Sequence, residues 1–149
     1  MKIGIDIRNI GKKRTGDEAV FFNLVKSLAL IDSKNEYLLF TDLIKDSVLE
    51  QIRNSFGITS KGNFKIISLK TLNRFSWNFW TLPMYLKKNP VDIYHTQYIT
   101  PFFVSNKIKI ITTIHDISFN FFPQFIKISD LIFLKNLIPP SLRRADKVI

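Results

Sequence analysis

The spacing of apolar residues switches repeatedly between two periods along this chain, and few folds tolerate that. Alternation in "KIGIDI" near the start predicts a strand, because side chains on a strand point to opposite faces in turn. After a basic, glycine-containing loop, Val20, Phe21, Leu24, Val25 and Leu28 recur at the spacing of one helical face. The pattern then repeats: strand "EYLLFTD", helix "DSVLEQIRNSF", a turn region over 57–62, strand "NFKIISL", and an aromatic helical stretch from Asn73 to Lys88 that Pro83 must start, kink or end. Strands "VDIYH" and "IKIITTIH" follow, then a helix from about Ser129 to Arg144 with a kink at Pro139-Pro140, and a last fragment "DKVI". Strands alternating with helices predict an α/β fold: a parallel sheet with helices on both faces, joined by right-handed crossovers.

Composition narrows the class. The 149 residues, 46% of them hydrophobic, can bury one substantial core, so a single globular domain over 1–149 is expected. The chain has no cysteine, which excludes disulfides and thiolate metal sites and fits a reducing, cytoplasmic compartment. Asp6 and Arg8 stand where a secretory signal would need its apolar core. Asp130 and Lys135 interrupt the greasiest region before it reaches the ~18 residues of a membrane span. A formal charge of +10 attracts phosphates in nucleic acid, lipid or nucleotide, yet the basic residues are scattered, as on an ordinary solvated surface.

In an open parallel sheet, ligands bind beyond the carboxyl ends of the strands. The two histidines of the chain, His95 and His115, both close a predicted strand there, and Asp116 follows the second. Each alone reads as a hydrogen-bonded structural residue, but together they point to a polar site at that edge. No further ligand pattern supports a metal. The loop Gly11, Lys12, Lys13, Arg14, Thr15, Gly16 opens a helix, whose first turn offers N–H groups to an anion. It is neither G-x-G-x-x-G nor a P-loop, and Thr15 to Glu18 also reads as a T-x-x-E capping box with Asp17 and Glu18 placed against the helix dipole.

Taken in order, "MKIGIDIRNIGKKRTG", "NLVKSLALIDSKNEYLLF", "VDIYHTQYITPFF", "TTIHDISFNFFPQF" and "PPSLRRADKVI" resemble the N-terminal half of family 4 glycosyltransferases, retaining enzymes of GT-B fold that build bacterial polysaccharides, many of them mannosyl- or glucosyltransferases. The "T-x-x-H-D-x-S-F" segment is the most specific part of the likeness. The resemblance implies a Rossmann-like domain that binds a glycan or lipid-linked acceptor. A nucleotide-sugar would be held, without metal or other cofactor, by a C-terminal domain that lies outside this chain, in cis or as a partner chain. Carried over by position, it implies that His115 lines the reaction centre, that Asp116 orients the loop or a hydroxyl, and that the loop Gly11 to Gly16 approaches the donor diphosphate. His95, Tyr98 and Phe119 would sit on the acceptor side.

One departure concerns that loop: many relatives read T-G-I-G-R-Y where this chain has Thr15-Gly16-Asp17-Glu18-Ala19-Val20, so acids replace a cationic phosphate contact. The aromatic stretch with Phe75, Trp77, Phe79, Trp80 and Tyr85 beside Arg74, Lys87 and Lys88 reads first as core packing and second as a peripheral contact with an anionic membrane. Two rival readings are a non-catalytic acceptor-binding or scaffolding half-protein and a basic nucleic-acid-binding module. The second lacks a recognition motif and a basic stripe, so no nucleic acid is expected.

Overall fold

A computed structural model of the protein describes residues 1–12 and 16–149. Its strands are β1 (Lys2–Asp6), β2 (Glu36–Thr41), β3 (Phe64–Ser68), β4 (Ile93–Gln97), β5 (Lys109–Thr113) and β6 (Lys147–Val148). They form one sheet in the order β3-β2-β1-β4-β5-β6, and every pairing is parallel. The helices are α1 (Gly16–Ile31), α2 (Asp46–Phe56), α3 (Arg74–Ser76), α4 (Leu82–Lys88), α5 (Ser118–Phe121) and α6 (Ile128–Arg144). The result is the α/β, Rossmann-like architecture expected, with the strand order of a doubly wound sheet.

β2 explains why both faces need helices. Its segment "YLLF" is apolar throughout, and alternation sends neighbours to opposite sides. Tyr37 and Leu39 join one core with Phe21 and Val25 of α1 and Ile52 and Phe56 of α2. Leu38 and Phe40 join a second core with Trp77, Leu82 and Leu86. Between the sheet and that second layer Gly4 leaves no room for a side chain, because a Cβ would stand 2.9 Å from both Phe40 and Tyr94. A third cluster, Ile99, Phe119, Phe133 and Ile138, packs the segment that follows β5.

The aromatic stretch is helical from Arg74 to Lys88, but Trp77–Thr81 between α3 and α4 is a π-helical turn. The Leu82 N–H bonds to the Trp77 carbonyl rather than to that of Asn78. In the wide register the carbonyl of Asn78 would face the N–H of Pro83, which does not exist. The N–H of Phe102, from the β4–β5 connection, fills that position at 2.8 Å. Pro83 stands in the first turn of α4, so it starts that helix as expected, and the wider turn before it absorbs the missing N–H. Pro139 and Pro140, by contrast, lie inside a continuous α6, where the buried Ser141 hydroxyl donates to the Leu137 carbonyl and accepts the Thr100 N–H.

Strand ends differ from expectation where polar residues continue a ladder. β4 runs past His95 to Gln97, which pairs with Thr113, so His95 is its third residue rather than its end. Thr96 and Gln97 are not apolar, but their backbone groups find partners across β5, and that decides the strand. β5 stops at Thr113, so His115 lies two residues beyond it. Neither α5 nor the 3-10 turn Pro123–Phe125 was anticipated.

Candidate functional site

The strand order reverses between β1 and β4, and at such a point the loops leave in opposite directions and open a crevice. A cavity of about 720 Å³ lies there. One wall grows from the end of β1. Asp6, buried, accepts two hydrogen bonds from Arg8 Nε, at 3.0 and 3.1 Å, and one from Arg8 Nη2 at 2.7 Å. The hydroxyl of Tyr94 donates to the same carboxylate at 3.2 Å. The Arg8 guanidinium lies 4.4 Å over the Trp77 ring. Burial works against the Arg8 cation, but the charge and hydrogen bonds of Asp6 outweigh it and hold its pKa above the ordinary value. Burial, with the adjacent Asp6 charge, pushes the Tyr94 phenol well above its usual range.

Beside this pair, on the opposite face of the sheet, a polar network joins three strand ends. Gln97 Oε1 accepts from Asn9 Nδ2 at 3.2 Å and pairs with His115 Nε2 at 3.0 Å. A carbonyl oxygen only accepts, so His115 carries its proton on Nε2. His95 shares the face of Gln97, two residues back, and its Nε2 lies 2.8 Å from the Thr113 hydroxyl. Both imidazoles pack on Phe21 of α1, with ring centroids 4.9 and 6.0 Å away. Burial first, then the neighbouring His115, lowers the pKa of His95 to about 4, so it is neutral at pH 7.

Tyr98, next to Gln97, has a φ of 57°, unusual for a bulky residue, and the Ile99 N–H bonds back to the Gln97 carbonyl around it. The Tyr98 ring stands 5.6 Å from that of His115. Across the cavity, Arg74 Nη1 donates to Asp130 at 2.6 Å, and its guanidinium lies 4.1 Å over Phe133, so α3 and α6 are tied together. At the third corner Lys12 binds Asp42 at 2.7 Å. Each of these cations, Arg8, Lys12 and Arg74, thus already has its own carboxylate.

The structure sorts the candidate residues as follows. Asp116, Tyr98, Phe119 and Lys12 line the cavity. Asp116 is exposed and accepts from the Ser118 N–H and hydroxyl at 2.9 and 2.7 Å, bracing the start of α5. His115 and His95 do not line it: they stand one layer behind Gln97 and Tyr98. Gly11, at a φ of 81°, donates its N–H to Glu18 at 2.8 Å, so that carboxylate is turned toward the loop, and Gly16 begins α1. Lys13, Arg14 and Thr15, and with Thr15 the capping box, lie outside the described residues. Asn9, Gln97, Arg8 and Asn78 are cavity residues that sequence reasoning passed over. The side-chain oxygens of Asn9 and Asn78 are buried and unpaired. The one available signal was the period-2 spacing of His95 and Gln97.

Among the described residues no group of three or more histidines, cysteines and acids is placed to hold a metal ion, and no helix is long and apolar enough to cross a membrane. A family model described as Glycosyltransferase Family 4 matches residues 17–149. No curated protein and no solved structure matches the chain.

Proposed function

The chain belongs to glycosyltransferase family 4, and on that premise we propose that it is the acceptor-side domain of an enzyme that moves a hexosyl group from a nucleotide-sugar to a hydroxyl of a glycan or lipid-linked acceptor. Transfer proceeds with retention at the anomeric carbon and without a metal, and the donor is held by a second domain across the cavity. The observation that carries the reading is the meeting of Asn9, Gln97 and His115 from three strand ends beside a cavity at the switch point. With its oxygen occupied, the Gln97 amide keeps two N–H groups to donate. Asp116 offers an acceptor for a sugar hydroxyl at the same wall.

In this reading the residues supply preorganised polar contacts as charge develops on the reacting sugar, a kind of contact worth roughly 2.7–4 kcal/mol when one donor is removed. Asp116 faces the reaction centre directly. His115 acts through Gln97, fixing which edge of the amide points at the sugar. His95, Tyr98 and Phe119 shape the acceptor side, and Lys12 with Lys13 and Arg14 approaches the donor diphosphate. The test uses the domain together with its donor-binding domain and a panel of nucleoside diphosphate hexoses. Release of nucleotide with formation of a glycoside of unchanged anomeric configuration supports the proposal. Hydrolysis without transfer, or inversion at the anomeric carbon, defeats it.

A further inference from the structure

We propose that a second recess, at the edge of the sheet opposite the cavity, is a docking groove for a short segment of a partner protein that carries large apolar side chains beside carboxylates. Val91 and Asp92 lead into β4, and Ser105 to Ile108 lead into β5, so the recess lies at the amino ends of the strands. The cavity lies beyond their carboxyl ends, roughly 15 Å away along a five-residue strand. The volume of the recess is about 690 Å³, within the roughly 300–1,000 Å³ of clefts that take ligands. Leu86, Val91 and Ile108 form its buried floor, and Phe103 stands at its rim, 83% exposed.

The backbone at Phe103 shows that this exposure is built in. Its φ of 58° is in the left-handed region, which a bulky residue enters only at a cost. The chain is fixed on either side. Phe102 stacks on Phe79 at 4.3 Å and donates its N–H to the Asn78 carbonyl at 2.8 Å, and the Ser105 carbonyl accepts from Arg144 at 3.2 Å. The Phe103 ring gains little packing in return, with centroids 6.2 Å from Phe79 and 6.5 Å from Phe102. A strained turn thus holds an aromatic side chain in water beside an apolar recess, and a partner's side chains would complete that arrangement.

Charge selects the occupant. Arg8, Lys12 and Arg74 around the cavity each hold a carboxylate, whereas Lys87 and Lys107 of the recess are exposed and pair with none among the described residues. Asp92, the one acid that lines the recess, accepts the Lys2 N–H at 2.7 Å. A carboxylate can therefore meet either ammonium group without displacing a resident one. The floor is aliphatic and recessed, so the occupant must push apolar side chains into it beside its charges. The plane of a bilayer cannot follow such a recess, and a polynucleotide has no aliphatic side chains. An acidic peptide with apolar anchors has both.

Docking at this edge is independent of sugar transfer. The experiment is selection of a displayed library of short random peptides against the whole chain, followed by titration of the enriched peptides, made synthetically, by fluorescence anisotropy. We expect enriched sequences in which large apolar residues stand within a few positions of aspartate or glutamate. Their affinity should fall about tenfold or more in Lys87→Glu/Lys107→Glu and in Phe103→Gly. Both lysines are exposed, so the first variant should keep its fold. Phe103→Gly should not lower Tm, because glycine adopts the left-handed backbone without strain. A lowered Tm would make the ring part of the core and overturn the proposal. A library that yields no binder, enriched peptides that are basic or uncharged, or binding that either variant leaves unchanged overturns it too. So does dimerisation that Phe103→Gly abolishes without any peptide affinity, which would assign the groove to a second copy.

Discussion

His115 Nε2 lies 3.0 Å from Gln97 Oε1, an oxygen that Asn9 also reaches, so the loop after β5 is tied to the ends of β4 and β1 through one side chain. The imidazole is thereby both behind the cavity and coupled to its wall.

That coupling predicts the behaviour of a double-mutant cycle in the two-domain transferase proposed above. His115→Ala should lower kcat about a hundredfold, in line with loss of one preorganised contact, and Gln97→Leu should do the same. Because they act as a unit, the double variant should be little worse than either single one. Thermal unfolding measured alongside separates this from a structural histidine, whose removal would lower Tm and change activity only with the folded fraction.

His95 predicts an acid dependence of stability. Its folded pKa, about 4, lies below the value near 6.5 of the unfolded chain. The unfolded state therefore binds the extra proton between those values, and stability falls as pH drops from about 6.5 to about 4. The loss attributable to this residue is roughly 3 kcal/mol. Urea unfolding at a series of pH values should show a shallower slope in His95→Gln across that window, and an unchanged slope would contradict the assignment.

The ion pair at the end of β1 predicts an asymmetric pair of outcomes. Asp6→Asn leaves the largely buried Arg8 without its counter-charge and should cost about 3–5 kcal/mol. Asp6→Asn combined with Arg8→Met removes both charges and should recover most of the loss. Denaturant midpoints at constant m report both values.

Packing around Gly4 predicts a third stability effect. Gly4→Ala places a methyl group 2.9 Å from Phe40 and Tyr94 and should destabilise by about 1–3 kcal/mol. Gly62→Ala, with nothing within 4 Å, should stay within about 0.5 kcal/mol of wild type.

The layered sheet was legible because periodicity is local: four or five residues of "YLLF" type declare a strand buried on both sides. That His115 belongs near the carboxyl end of a strand was legible for the same reason, although the strand stops two residues before it. Gln97 was not, because Thr96 and Gln97 break the apolar pattern and only their pairing with β5 keeps them in the strand. The Arg74–Asp130 bridge spans 56 positions, and no spacing rule connects its ends. The π-helical turn was hidden as well, since it depends on Phe102 supplying the hydrogen bond that Pro83 lacks.

The three matched ion pairs around the cavity, Arg8 with Asp6, Lys12 with Asp42 and Arg74 with Asp130, make anion capture there an exchange reaction. A phosphate that binds any of these three cations must displace its resident carboxylate and leave that group in need of water or a proton. A hydroxyl-rich neutral sugar incurs no such debt. What an entering anion would have to displace thus differs from corner to corner, least at the Arg74–Asp130 pair, the most exposed of the three, and most at buried Asp6.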